Sequence, residues 1–312
     1  MPRNSNPARY LCLFFFLFAI LALGACSHSP TQTNTPAAVA TRTAEFHTPA
    51  ATSTPIQPTA TPEPLAATVN GEGIPLAEFQ VSLDQLKKAD AAAQKTVNET
   101  DQRKRVLDNL VDQALLAQAA RADGYQASSV DLDAQISQLA AQAGGISALQ
   151  AWESANGYTD GMFKSVLAKE LAAAWERDRM LAEVPTIADQ VHARQILVSD
   201  EATAQTVLSR LQAGVKFASL ASKYDPVSGG DLGWFPKGYL NAPEVEAAAF
   251  SLQPGQTSDI IHSRFGYHII EVIERDPKHT LSPDARLALE RAALKSWLDD
   301  QRTKSQINSL IQ

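Results

Sequence analysis

The sequence predicts an α+β protein: an all-helical unit, then a mixed module of strands and helices, then one long closing helix. Three observations predict it. Between about residues 76 and 184 apolar residues recur at helical spacing. From Gln190 the pattern switches to strand-like alternation, and glycines and prolines punctuate the residues after Val198. Ser282 and Pro283 then supply an N-cap and a first-turn proline for a last helical run. The chain has 312 residues, 45% of them hydrophobic. At about 100–200 residues per domain that suggests about two domains, with enough apolar content for real cores.

The chain opens on an address. Arg3 and Arg9 precede the apolar run from Leu11 to Leu23. A spanning helix needs ~20 apolar residues, and this run is shorter. Residues 1–25 therefore read as a secretory signal peptide. The run ends in Leu23-Gly24-Ala25-Cys26, which resembles a bacterial lipobox. That resemblance implies cleavage before Cys26, a lipid on its sulfur and a lipid-anchored, extracytoplasmic place at the cell envelope. The alternatives are an ordinary signal peptide with a chance cysteine, or an uncleaved anchor. With Cys12 in the leader and Cys26 acylated, no free thiol is left for nucleophilic or redox chemistry. Two cysteines also cannot build a disulfide scaffold or a Cys-rich zinc site. Residues 26–65 are mostly Thr, Pro, Ala and Ser, which bury too little surface to offset chain entropy. They read as a disordered tether, extended by its prolines.

Charge narrows the partners. The chain carries 27 Lys+Arg against 34 Asp+Glu, a formal charge of −7, and without Arg3 and Arg9 the balance is 25 against 34, or −9. An acidic surface disfavours nucleic acid, which needs cations against its phosphates. It equally disfavours passive docking on anionic lipid.

The helical unit, 66–185, begins with strand residues around Asn70-Gly71, a hairpin-turn signal. Pro75 suits the first turn of a helix to about Ala89, with Leu76, Phe79, Leu83 and Leu86 on one face. A second helix spans about Glu99 to Asp123, with Gly124 as its stop. Ser128 and Asp131 have capping-box spacing before Leu132, Ile136 and Leu139, and Gly144-Gly145 breaks that helix. A short helix over about 146–155 comes next, then a long one from Thr159 that ends before Pro185. This unit shows no catalytic constellation, and residues 66–184 lack His and Cys, which argues against a metal site.

In the mixed module, Gln190 to Val198 alternates as a strand. Asp200 to Ala213 and Phe217 to Tyr224 read as helices, Val227 to Gly233 as a glycine-rich loop, and Pro243 to Phe250 as a third helix. Thr257 to His262 and Tyr267 to Ile273 read as strands, with Pro277 ending the module and the last helix reaching about Leu310. His192, three residues before Gln195 on a strand, faces away from it and is expected to be exposed.

Four blocks in order carry a resemblance. They are Val191-His192-Ala193-Arg194-Gln195-Ile196-Leu197-Val198, then Phe217-Ala218-Ser219-Leu220-Ala221 running into Gly229-Gly230-Asp231-Leu232-Gly233-Trp234-Phe235, then Phe250-Ser251-Leu252-Gln253-Pro254-Gly255, then Phe265-Gly266-Tyr267-His268-Ile269-Ile270. Together they resemble the parvulin (PpiC, rotamase) family of peptidyl-prolyl cis-trans isomerases over about residues 186–276. The helical unit before them and the terminal helix over 280–312 are similar in layout to envelope foldases of the PrsA and SurA type. The resemblance implies a four-stranded antiparallel sheet with surrounding helices, and a terminal helix that returns to the helical chaperone-like domain. It implies isomerisation of X-Pro bonds in unfolded exported polypeptides, with no cofactor and no metal. The alternative is a catalytically weak or inactive relative that holds unfolded exported chains.

The resemblance also implies the site. The family's proline pocket carries over to Leu232, Leu240 and Val245, with Phe265 as a further wall; ordinary core packing is the other reading of all four. Val245 stands where the family usually has Phe, which implies a shallower pocket. The polar centre implies two histidines and a Cys or Asp beside the substrate amide. The second histidine is His268, and Gln195 replaces the first. Gln accepts and donates hydrogen bonds without titrating, so it can hold His268 but is no second imidazole. The Cys/Asp position falls on Asp225, in a loop shorter than is common, where the residue equally suits capping a turn before Pro226. Ser263 matches a position that often carries a small hydroxyl. Asp231 is expected to organise its loop, and Trp234 and Phe235 to pack.

Overall fold

The computed structural model describes residues 63–311. The expected signal peptide (1–25), Cys26 and nearly all of the expected tether (26–65) lie outside the described residues. The chain divides into two compact units, each taken by itself. Of the described residues, the first holds those up to Leu110, Ser129–Val166 and those from Asn308 on; the second holds Val111–Ser128 and Leu167–Ile307.

The first unit opens with antiparallel strands β1 (Leu65–Val69) and β2 (Glu72–Pro75). Asn70 and Gly71 turn between them at φ 53° and 85°. That is the left-handed pair whose twist matches the flanking strands, as the Asn-Gly signal predicts. Helix α1 (Leu76–Ala92) continues without a gap, and α2 (Glu99–Ala122) starts in this unit. Gln102 on α2 donates to the buried carboxylate of Asp90 on α1 at 2.8 Å, satisfying a group that is costly to leave bare. The Arg103 guanidinium lies over the buried ring of Phe79 at 5.3 Å. Helices α3 (Ser129–Ala143), α4 (Ile146–Ala155) and α5 (Asp160–Glu183) complete the unit, α5 running on into the second.

The second unit carries the α+β module. Strand β3 (Ile187–Val198) leads to α6 (Glu201–Gln212) and α7 (Phe217–Tyr224). Strand β4 (Asp231–Pro236), helix α8 (Pro243–Ser251) and strands β5 (Ile261–Ser263) and β6 (Gly266–Thr280) complete it, before α9 (Pro283–Lys304). The sheet is four-stranded, in the order β4-β3-β6-β5, with antiparallel neighbours throughout.

Strict alternation along β3 and β6 builds a core on each face. Val191, Ala193, Ile270 and Val272 point one way, onto Val245 and Ala249 of α8 and Phe235 of β4. Ile196, Val198 and Ile269 point the other way, onto Ala204 and Val207 of α6 and Phe217 and Leu220 of α7. Pairing β3 with β4 skips a residue between Ala193 and Arg194, so Leu232 occupies a bulge. Leu232 packs against the first of these cores.

Several boundaries differ from the sequence reading. Strand β4 begins inside the glycine-rich loop, because its pairing partner β3 is distant in sequence and leaves no local signal. Pro277 does not end the module; β6 runs to Thr280 and absorbs the proline in an extra residue opposite Ala188–Gln190, where a missing N–H costs no ladder bond. Strand β5 is shorter than expected, with Thr257 making only an isolated bridge to Glu271. Helix α9 stops at Lys304, and Ile307–Ser309 forms a strand, β7, in a three-stranded sheet of order β2-β1-β7. Among the described residues no helix is long and apolar enough to cross a membrane.

Candidate active site

His268 and Gln195 lie on the α8 face of the sheet, on neighbouring strands. Gln195 opposes Ile270 and His268 opposes Leu197, so the two side chains are two residues apart along paired strands. His268 is 3% exposed. Its Nδ1 lies 2.9 Å from Gln195 Oε1, and its Nε2 lies 2.7 Å from Ser263 Oγ. An amide oxygen only accepts, so Nδ1 carries the ring proton and Nε2 is the bare acceptor for the Ser263 hydroxyl. Ser263 Oγ in turn accepts the backbone N–H of Phe265 at 3.0 Å. The chain of bonds runs in one direction from Phe265 N–H through Ser263 and His268 to Gln195, and every member is satisfied. Burial pushes the His268 pKa below the usual histidine range, with the charge of Glu244 pulling weakly the other way. The imidazole is therefore held neutral and in one tautomer.

Glycines fix this arrangement. Gly230 sits at φ +73° with its carbonyl accepting the Gln195 N–H at 2.8 Å, and a Cβ there would lie 1.9 Å from the Gln195 carbonyl oxygen. No other residue fits that approach. Gly266, opposite Ser263 in the β5–β6 hairpin, is equally closed, its added Cβ meeting the Val198 carbonyl oxygen at 2.5 Å.

The apolar candidates divide. Leu232 and Leu240 are half-buried on the same core cluster as Ile261 of β5 and Tyr239, neither of which the sequence reading named for the site; Tyr239 lies in a loop with no periodic signal. Val245 is 2% exposed and packs within that cluster. Phe265 is 50% exposed at the tip of the β5–β6 hairpin. The loop bearing Leu240 is tied down by Glu246 of α8, also missed, whose carboxylate accepts the backbone N–H groups of Gly238, Tyr239 and Leu240 at 2.7, 3.0 and 3.0 Å.

Asp225 is spent on its own loop. Its carboxylate accepts from the N–H groups of Val227 and Ser228, both at 3.1 Å, and from the Ser228 hydroxyl at 2.5 Å. The Ser228 hydroxyl and then the loop amides hold its pKa below the usual carboxylate range. These bonds tie Asp225 to the turn that runs through Pro226 to Ser228. Asp231 also organises backbone, accepting the Gly233 N–H at 2.8 Å. His192 differs from its expected exposure: its Nε2 lies 2.9 Å from Asp231 Oδ1, with its side chain 22% exposed and tilted against Trp234. Its strand neighbours Arg194 and Ile196 turn to the α6–α7 side, so it stands on the face opposite Gln195.

Residues 181–274 match the family of the PPIC-type PPIASE domain, and residues 56–169 match the SurA-like N-terminal domain. The chain is 32% identical over 243 residues to the foldase protein PrsA of Caldanaerobacter subterraneus subsp. tengcongensis, covering 66% of this chain and 72% of that protein. The chain belongs to the PrsA foldase family. A second PrsA foldase, from a Geobacillus species, is 39% identical over 127 residues, 39% of this chain and 45% of that relative, so the match spans less than half of it. A crystal structure of the peptidylprolyl isomerase PrsA from Bacillus anthracis is 27% identical, covers 64% of this chain and 96% of its own, and superposes with a TM-score of 0.43. The family layout accounts for a helical N-terminal domain joined to a parvulin domain, and the four-stranded antiparallel sheet is that domain's.

Proposed function

We propose that the protein is a peptidyl-prolyl cis-trans isomerase that assists folding of exported polypeptides at the cell envelope. The observation that carries this reading is the neutral His268, locked between Gln195 and Ser263 beside an apolar cluster that includes Leu232 and Leu240. It lies within the stretch that matches the PPIC-type domain.

Rotation about a peptide C–N bond faces a barrier of about 18–20 kcal/mol, and no bond is broken in crossing it. The catalyst need only hold the twisted amide better than the planar one. Leu232, Leu240 and the exposed Phe265 would grip the proline ring, with Val245 as the buried floor. His268 and Ser263, already fixed by Gln195 and Phe265 N–H, would present oriented dipoles to the amide without reorganising at the moment of reaction. Asp225 keeps the loop over Gln195 in shape. Residues 66–185 would serve as the chaperone-like domain, 186–276 as the isomerase domain and 280–312 as a helix returning to the chaperone-like domain. A lipid on Cys26 would hold the molecule at the membrane, a reading supported by Leu23-Gly24-Ala25 before it and tested by mass spectrometry of the protein from membranes.

The test is the cis-to-trans rate of an X-Pro peptide with the natural protein and with Gln195→His. Acceleration by the natural protein is expected, and makes a second histidine dispensable. Recovery only in Gln195→His would mean a scaffold that has lost its catalysis and would favour a holdase.

A further inference from the structure

The β5–β6 hairpin turns in two residues, Arg264 and Phe265, between the paired Ser263 and Gly266. This tip cannot drift. Ser263 is bonded to His268, and the backbone at Gly266 lies close enough to the Val198 carbonyl to leave no room for a Cβ. The Arg264 side chain is held from two sides: its guanidinium lies over the Phe265 ring at 4.6 Å and donates to the Asn241 carbonyl at 3.4 Å. Asn241 directly follows Leu240. The cation thus bridges the two sides of the proposed proline site, one residue from the hydroxyl that holds His268.

Arg264 is exposed and, among the described residues, no carboxylate forms an ion pair with it. On the sheet that carries the site, by contrast, Arg194 pairs with Glu271 and Arg275 with Asp189. A guanidinium that is stacked, oriented and open presents a planar fork suited to a carboxylate. It does so on a chain of formal charge −7.

We infer that Arg264 is a specificity-determining residue that selects client segments with an acidic side chain next to the proline. The inference rests on the isomerase reading and names the substrate class of that site. With the ring between Leu232 and Leu240 and the amide at Ser263 and His268, the residues flanking proline pass the hairpin tip. Glu244, in the first turn of α8, acts on the charge of His268 and gives the site an acidic neighbour as well. A lysine beside the proline is its competing choice, so the peptides must include one.

The experiment uses the full chain and two peptide series, with Glu, Gln or Lys immediately before or immediately after the proline. In one series kcat/KM for Glu should exceed that for Gln by about two- to five-fold, the range of an exposed ion pair. The preference should shrink at high salt. The Glu-to-Gln ratio should fall to about one in Arg264→Gln and invert in Arg264→Glu, with unchanged melting temperatures showing that both variants fold. Isomerisation with no Glu preference, a Lys preference, or a ratio untouched by Arg264→Gln would overturn the specificity and leave the isomerase standing. No acceleration of any peptide would overturn the isomerase reading itself, and this inference with it.

Discussion

His268 has two partners and no water-facing edge, and that combination makes it a stability switch as well as a site residue. Burial lowers its folded pKa, whereas in the unfolded chain it titrates near about 6.5. Below about pH 6.5 the unfolded chain therefore binds more protons than the folded one, and stability falls with pH until the folded ring also protonates. Protonation would also place a second N–H at Nε2, where the Ser263 hydroxyl now donates. Urea unfolding at about pH 7.5 and 5.5 should show this loss in the natural protein and a shallower one in His268→Gln. An equal loss in both would assign the titration to another group. This residue was legible in the sequence because Phe265-Gly266-Tyr267-His268 marks it. Its tautomer was not, because that depends on Gln195 and Ser263 arriving from other strands.

Elements were legible where one residue type sufficed and obscure where several amides share one acceptor. Asn70-Gly71 predicted its hairpin, and Ser282-Pro283 predicted the start of α9, where Ser282 Oγ accepts the Ala285 N–H at 3.1 Å. The Gly238–Leu240 turn carries no such local device. Its three N–H groups converge on Glu246, six to eight residues on, inside a different element. Glu246→Ala should free that turn, cost about 1–3 kcal/mol of stability and raise KM for X-Pro peptides more than it lowers kcat. Hydrogen exchange at Gly238, Tyr239 and Leu240 should accelerate together. Slow exchange at all three in the variant would mean that the turn is held by packing of Tyr239 and Leu240 on the core instead.

At the scale of the whole chain, the least legible feature is the pairing of β7 with β1, the first strand of the described residues. Ile307-Asn308-Ser309 continues the helical pattern of α9 in sequence, yet it forms β7 on β1. Leu310 N–H donates to the Ala66 carbonyl at 2.9 Å, and Asn308 Nδ2 to Thr68 Oγ1 at 3.3 Å across 240 residues. Contacts this distant have no local sequence signal, and they form only after a large loop-closure cost is met. They add a third strand. Without it β1 and β2 are a lone hairpin, which is marginal in water, although Ala66, Ala67 and Val69 are fully buried. Deleting residues 306–312 should therefore cost about 1–3 kcal/mol in the first unit, from lost ladder bonds and uncovered strand edge. Amide protection over residues 65–69 should drop, while amides of β3 and β6 at the site, Gln195 and His268 among them, stay protected. A deletion that leaves 65–69 protected would show that the hairpin is held by α1 alone, whose contact with β1 and β2 begins directly at Leu76.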